Sequence, residues 1–82
     1  MPNTKTLEPG QCRAARGFLD WTQDELAERS GLSRSTIRDF EKGRHELQPG
    51  SERLIVQTLE DAGIGLIPAG ERGPGVYMRR PS

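Results

Sequence analysis

The spacing of hydrophobic positions predicts that the chain begins with a short helix after a polar segment. Residues 1–8 are polar apart from Leu7 and are expected to form a flexible arm. Pro9 suits the first position of a helix, because its missing N–H would lack an intrahelical partner there. Apolar side chains then recur every three or four residues, which predicts one buried helical face made of Cys12, Ala15, Phe18 and Leu19.

Two further helices are marked by their caps. Thr22 and Glu25 form a capping-box pattern at the start of the second helix, and Gly31 supplies the left-handed residue that ends it. Ser33 is then expected to cap a third helix that runs to about Lys42.

The rest of the chain changes from helical to strand periodicity. Residues 44–50 are predicted to form a loop, and Ser51 is predicted to cap a fourth helix that ends at Gly63. Two β-prone runs, 64–68 and 76–80, flank a Gly- and Pro-rich connector and predict a hairpin. The apolar face of the fourth helix is expected to contain Leu54, Ile55, Thr58, Leu59 and Ala62.

The composition limits what these elements can build. The chain has 82 residues, 12 basic and 12 acidic side chains, 32% hydrophobic residues and a mean hydropathy of −0.75. A single core of this size supplies only roughly 3–5 kcal/mol. We therefore expect help from a partner subunit and no large catalytic pocket.

The residues capable of catalysis or metal binding are few, which limits the classes of function that the sequence allows. The single cysteine, Cys12, excludes an intrachain disulfide and is expected to be a small buried hydrophobe. With one histidine, no His/Cys cluster and no phosphate-binding glycine loop, the sequence predicts neither an enzyme nor a bound metal or cofactor. It also contains no apolar signal segment and no run of transmembrane length. These patterns predict a soluble cytoplasmic protein with no membrane partner.

The second and third helices have the spacing of a helix-turn-helix. Ala27 is small where the next helix crosses, Gly31 can take a positive φ in the turn, and Ile37 and Phe40 anchor the third helix to the core. The outward face of that helix carries mostly donors that can read base edges or bind phosphates. These side chains are Arg34, Ser35, Arg38, Asp39 and Lys42.

Four segments of the sequence carry a resemblance to a known family. They are Gln11-Cys-Arg-Ala-Ala-Arg, Trp21-Thr-Gln-Asp-Glu-Leu-Ala, Ser30-Gly-Leu-Ser-Arg-Ser-Thr-Ile and Phe40-Glu-Lys-Gly-Arg44. Together they resemble the Cro/cI-type (XRE) helix-turn-helix regulators. The resemblance implies a mainly α fold, a four-helix lambda-repressor-like domain over residues 9–63 with its recognition helix at about 33–42. The C-terminal β-hairpin and tail over 64–82 are expected to serve in dimerisation, because Val76, Tyr77 and Met78 offer apolar surface and an open strand edge can pair across a two-fold axis.

The resemblance also implies roles for individual residues on double-stranded DNA. Gln23 matches the residue that clamps a phosphate at the start of the second helix. Arg34 is the first candidate for base readout, because a guanidinium can bond guanine O6 and N7 together. Arg38 matches a position that reads a base or a phosphate, and Asp39 would either accept from cytosine N4 or pair with Arg38 or Lys42. Further matched positions are Ser33 and Ser35, which would enter the major groove, and Thr36, Lys42 and Arg44, which would contact the backbone.

The charge distribution agrees with this assignment, although a solvated helix face is the plain alternative for such charges. Residues 33–44 carry a net charge of +2, whereas 1–32 and 45–82 each carry −1. Glu41 is expected to hold the end of the recognition helix rather than to contact DNA.

These observations predict a sequence-specific regulator, in the simplest form a homodimeric repressor that binds a pseudo-palindromic operator. Either the hairpin or the fourth helix could form the dimer interface. The alternative is a protein-interaction module, such as an antitoxin that binds a toxin partner and represses its own operon.

Overall fold

A computed structural model describes residues 7–79 of the chain. Residues 1–6 of the predicted arm and residues 80–82 of the predicted tail therefore lie outside the described part. The elements are α1 (Pro9–Leu19), α2 (Gln23–Ser30), α3 (Arg34–Glu41), α4 (Pro49–Asp61), β1 (Ile64–Ile67) and β2 (Gly75–Met78). This order confirms the predicted fold class, which is mainly α with a short antiparallel hairpin after four helices.

Local capping explains where α2 and α3 begin and end. The Thr22 hydroxyl accepts a hydrogen bond from the Glu25 amide at 3.0 Å, and the Glu25 carboxylate accepts from the Thr22 amide at 2.8 Å. Gly31 takes a φ of 83° at the end of α2. The Ser33 hydroxyl accepts from the Thr36 amide at 3.1 Å. The predicted caps of both helices are thus confirmed.

The predicted start of the fourth helix is wrong. α4 begins at Pro49 with Gln48 as its N-cap, so Ser51 lies inside the first turn. A proline at the first helical position loses no hydrogen bond and has a φ already suited to the helix. That backbone preference sets the start of α4 ahead of the serine.

The core is built from all four helices and the first strand. Its buried side chains are Leu7, Cys12, Ala15, Leu26, Ala27, Ile37, Phe40, Ile55, Leu59 and Ile64. Cys12 is fully buried, as predicted. Leu7, which the sequence placed at the end of the arm, is only 1% exposed, and its amide donates to the Glu52 carboxylate at 2.9 Å.

Two predicted core positions are wrong. Phe18 is 55% exposed and Leu54 is 47% exposed, although both lie on the faces that periodicity selected. Within residues 7–79, the buried core instead includes Leu7 and Ile64, which lie outside the two helices. Helical periodicity defines a face, but it does not define how far along the helix that face is covered.

The hairpin is fastened to α1 by one buried side chain. Gln11 is 3% exposed, and its amide nitrogen donates to the carbonyls of Ile67 and Gly75 at 2.8 and 2.9 Å. The Gln11 side-chain oxygen in turn accepts from the Glu8 amide at 2.8 Å. Because these carbonyls lie at the two facing strand ends, Gln11 fixes the open loop end of the hairpin to the first helix.

The strands pair in register, with Gly65 opposite Tyr77. A Cβ added at Gly65 would overlap the Tyr77 ring, so the ring covers the glycine directly. No helix within residues 7–79 is both long and apolar enough to span a membrane.

Candidate nucleic-acid interface

The turn between α2 and α3 holds the two helices in a fixed relation. The amides of Gly31 and Leu32 both donate to the Ala27 carbonyl, at 2.9 and 3.1 Å. Ala27 is 6% exposed at the crossing, and Ile37 is fully buried beneath α3. With one face of α3 packed inward, its other face is presented to solvent next to the start of α2.

The predicted DNA-binding residues are distributed over that solvent face and its two ends. Arg34 and Ser35 at the start of α3, and Lys42 and Arg44 beyond its end, are exposed. The half-buried members of the set are Gln23, Thr36, Arg38 and Asp39, and Ser33 is exposed.

The Ser33 hydroxyl is already engaged within the protein. Besides the Thr36 amide, it lies 2.8 Å from the Thr36 hydroxyl and 3.2 Å from the Ser35 hydroxyl. The helix cap thus connects three of the predicted side chains in one hydroxyl cluster. This connection follows from the N-cap geometry, in which the cap side chain folds over the first turn.

Two ion pairs lie on the same face, one exposed and one half-buried. Arg34 Nε is 3.5 Å from Asp24 Oδ1, and the two side chains are 60% and 68% exposed. Arg38 Nε is 3.4 Å from Asp39 Oδ1. The second pair is one of the two pairings proposed for Asp39 from the sequence. Ion pairs at these exposures contribute little to stability, because water screens them.

The buried end of α3 is organised around Glu41, which is 3% exposed. We call Glu41 and its three side-chain donors, Arg16, Gln23 and Cys12, the Glu41 cluster. Arg16 binds both carboxylate oxygens, from Nε at 2.8 Å and from Nη2 at 2.7 Å. Gln23 Nε2 donates to Oε1 at 3.0 Å, and the Cys12 thiol donates to Oε2 at 3.1 Å. The prediction that Glu41 holds the end of the recognition helix is confirmed by these bonds to α1 and α2.

The ionisation of the Glu41 cluster follows from these bonds. Burial raises the pKa of Glu41, but the hydrogen bonds from Arg16, Gln23 and Cys12 outweigh it, so the pKa lies below the ordinary glutamate value. Burial, together with the carboxylate of Glu41, raises the pKa of the Cys12 thiol. The cluster therefore holds an ionised carboxylate and a neutral thiol.

Sequence reasoning missed several residues beside the recognition helix. An open cleft of about 360 Å³ is lined by Ser35, Thr36, Asp39, His45, Glu46, Leu47, Gln48 and Ser51. The loop after α3 and the start of α4 thus lie next to the predicted base-reading positions. Asp24 lies in the acidic first turn of α2, and nothing in the linear spacing connects it with Arg34. The helical period relates residues within one helix. The Arg34–Asp24 pair and the cleft beside Ser35, in contrast, each join separate segments of the chain.

Taken together, the turn, the buried face and the outward polar face define a helix-turn-helix of the DNA-binding kind. The family model described as helix-turn-helix, HTH_3, matches residues 13–55. The chain therefore belongs to the XRE-type helix-turn-helix family, and it is a DNA-binding transcription regulator.

Two solved structures of one protein show the same likeness. They are the wild-type restriction-modification controller protein C.Esp1396I and a point mutant of it. Each is 31% identical to the chain, with a TM-score of 0.60, over 63% of this chain and 68% of the other. No curated protein sequence matches the chain.

Proposed function

We propose that the protein is a sequence-specific repressor that binds a pseudo-palindromic operator as a homodimer. The observation that carries the proposal is the outward face of α3, where an exposed Arg34 stands at the first helical position. The N-terminal residues of a recognition helix are those that reach base edges in the major groove. The likeness to a restriction-modification controller protein supports a role in regulation.

The proposed roles follow the position of each side chain. Arg34 reads guanine through its guanidinium, and its weak pair with Asp24 can be exchanged for a base. Ser33 and Ser35 enter the groove beside it. Gln23 clamps a phosphate at the start of α2, where the first backbone amides of the helix have no backbone acceptor within it. The remaining contacts are to the DNA backbone from Thr36, Lys42 and Arg44, and to a base or phosphate from Arg38 and Asp39.

The hairpin is the proposed dimer interface. The Arg79 amide donates to the Gly63 carbonyl, which makes Gly65–Tyr77 and Ile67–Gly75 the hydrogen-bonded pairs of the ladder. Val76 and Met78 consequently point their own N–H and C=O groups away from β1. That edge can pair with a second copy across a two-fold axis, beside side chains of Tyr77 and Met78 that are 49% and 40% exposed.

Such a dimer would set two recognition helices in successive major grooves, about 34 Å apart. Bound over a promoter, it would block transcription by occupancy. No separate sensor or activation domain is required for this mechanism.

DNA binding is tested with the region upstream of the protein's own coding sequence against scrambled DNA of equal length, over a series of salt concentrations. Specific readout predicts preference for the upstream DNA, and Arg34→Ala should reduce that preference by about 1–3 kcal/mol. Equal binding to both duplexes would reject this operator. Failure to bind either duplex at low salt would favour the protein-interaction alternative.

The interface is tested by two matched charge insertions at exposed apolar positions, Met78→Lys on β2 and Leu54→Lys on α4. Analytical ultracentrifugation should show a monomer for Met78→Lys and an unchanged dimer for Leu54→Lys. The opposite result would move the interface to α4, and a monomeric wild-type protein would reject the dimer.

A further inference from the structure

The Glu41 cluster joins the end of α3 to α1 and, through one further hydrogen bond, to the start of α2. Three of its four hydrogen bonds come from α1, two from Arg16 and one from Cys12, and these already join α1 to the end of α3. The fourth comes from Gln23 Nε2, at the first residue of α2. Gln23 is half-buried, so part of its side chain remains accessible to a ligand.

The chemistry of this contact fixes the orientation of the Gln23 carboxamide. An ionised carboxylate accepts hydrogen bonds and cannot donate them, so Gln23 has to present its nitrogen to Glu41. The nitrogen carries a second N–H, which has no acceptor among residues 7–79 and is left for a ligand. The Glu41 carboxylate is itself held by both arms of the Arg16 guanidinium, which also donates to the Trp21 carbonyl at 3.0 Å. Gln23 is therefore oriented by a carboxylate that Arg16 holds at both oxygens.

We infer that Glu41 is a positioning residue for DNA binding, which orients the Gln23 carboxamide so that its second N–H meets a backbone phosphate at the start of α2. The inference rests on the proposed function, because it assigns to Glu41 an effect that acts through a proposed phosphate contact. Glu41 does not touch DNA itself, since it is 3% exposed.

The expected change in DNA affinity on Glu41→Gln is opposite in sign to the change that the altered charge alone would cause. Glu41→Gln removes a negative charge next to the DNA-binding face and leaves Arg16 unneutralised, and added positive charge ordinarily strengthens DNA binding. Loss of positioning predicts the reverse, a drop in affinity of roughly tenfold, as for other hydrogen bonds to a charged group. A glutamine at this position can also turn its own amide toward Gln23, which would then have to reorient.

The experiment is a double-mutant cycle on a duplex that the wild-type protein selects from a random DNA pool. Wild type, Gln23→Ala, Glu41→Gln and the double variant are compared for affinity, and their folding is followed by urea unfolding. Positioning predicts that Glu41→Gln weakens binding in the wild-type background and has no further effect once Gln23 is alanine. Equal losses in both backgrounds, or a gain in affinity, would overturn the inference.

Two more variants keep the test decisive. Should Glu41→Gln fail to fold, Glu41→Asp replaces it in the cycle. Aspartate keeps the charge, which the long Arg16 side chain can follow, but it withdraws the carboxylate from Gln23 by one methylene. Cys12→Ala removes a hydrogen bond from the same carboxylate without touching Gln23, so affinity should stay within about twofold of wild type. A loss with Cys12→Ala equal to that with Glu41→Gln would assign the cluster a structural role alone.

The failure of the inference is distinguishable from the failure of the proposed function. If the wild-type protein enriches no sequence from the pool, the proposed sequence-specific function is wrong and the inference falls with it. If it enriches a sequence and the two losses are additive, only the positioning role is wrong.

Discussion

Two arginines contact acidic partners at opposite ends of the region around α3, and their surroundings differ. Arg16 reaches the end of α3 and holds Glu41 at 2.7 Å, with the two side chains 18% and 2% exposed. Arg34 begins α3 and lies 3.5 Å from Asp24, with the two side chains 60% and 68% exposed. The same pair of chemical groups thus forms a fixed anchor at one end and a loose contact at the other.

The two ion pairs differ in whether water can replace a lost partner. A buried carboxylate cannot recover its hydration when its partner leaves, so removal of one member of a buried pair is costly. An exposed pair loses little, because water replaces the partner. The buried pair is suited to holding the recognition helix in place. The exposed pair is suited to giving up its arginine to a base.

The largest expected effect is therefore on stability at the buried end. Glu41→Ala leaves Arg16 without its partner and should cost about 3–5 kcal/mol in the free energy of unfolding, most of what a core of this size supplies. Urea unfolding followed by circular dichroism measures this. Asp39→Ala, two residues earlier on the same helix, removes a half-buried carboxylate that is paired with a partly exposed Arg38. It is the matched control and should stay within about 0.5 kcal/mol. Similar losses for the two variants would contradict the comparison.

Substitution of the exposed basic residues after α3 is expected to have a smaller effect, which is on the salt dependence of DNA affinity. Lys42→Gln and Arg44→Gln should leave the free energy of unfolding unchanged. Each should reduce the slope of log affinity against log salt by about 0.9 per protomer, because fewer counterions are released.

Gln23→Ala should lower DNA affinity without changing that slope, since an uncharged side chain at the phosphate releases no counterion. Filter binding over a salt series separates the two results, and unchanged slopes for both basic variants would remove them from the backbone contacts.

Acidification tests the buried anchor without a substitution. The pKa of Glu41 is lowered in the folded state, so its contribution to stability is present above the ordinary glutamate pKa of about 4.3 and is lost as the pH falls through the lower, folded-state value. The loss should be smaller than for Glu41→Ala, because a protonated carboxyl still forms hydrogen bonds. Thermal unfolding of wild type and Glu41→Gln from about pH 7 down to about pH 3 should show a shallower acid decline in the variant. Parallel declines would show that other carboxylates carry the acid sensitivity.

The smallest effect is expected at the exposed pair. Asp24→Asn should change the free energy of unfolding by less than about 0.5 kcal/mol. It should raise DNA affinity a few-fold at low salt, because it removes a negative charge and frees Arg34. A marked loss of stability, or weaker binding to DNA, would mean that Asp24 holds Arg34 in its reading position.

Much of the fold could be predicted from local signals. Thr22, Gly31 and Ser33 mark the ends of α2 and α3 through interactions within one or two turns, and such interactions do not depend on the rest of the chain. The hairpin was likewise predictable from two β-prone runs around a Gly- and Pro-rich connector. The start of α4 shows the limit of this reasoning. Pro49 and Ser51 are both residues that favour a helix start, and the helix begins at Pro49.

The candidate site was predictable only as a set of residue types on one helix face. The helical period places Arg34, Arg38 and Lys42 outward, but it does not say which acid lies near which base. Asp24 reaches Arg34 from another helix, and the cleft beside Ser35 is completed by residues of the following loop and of α4. Exposure of Phe18 was missed for the same reason, because burial depends on which segments cover a face.

The sequence by itself determined the order of elements, the helix-turn-helix and the identity of the face that presents Arg34, because caps, periodicity and turn residues act over a few positions. The tertiary structure alone decided that Glu41 would collect donors from α1 and α2, and that Gln11 would fasten the hairpin. These contacts join residues 18 to 64 positions apart. Their energies come from burial and mutual orientation, which exist only after the helices have packed.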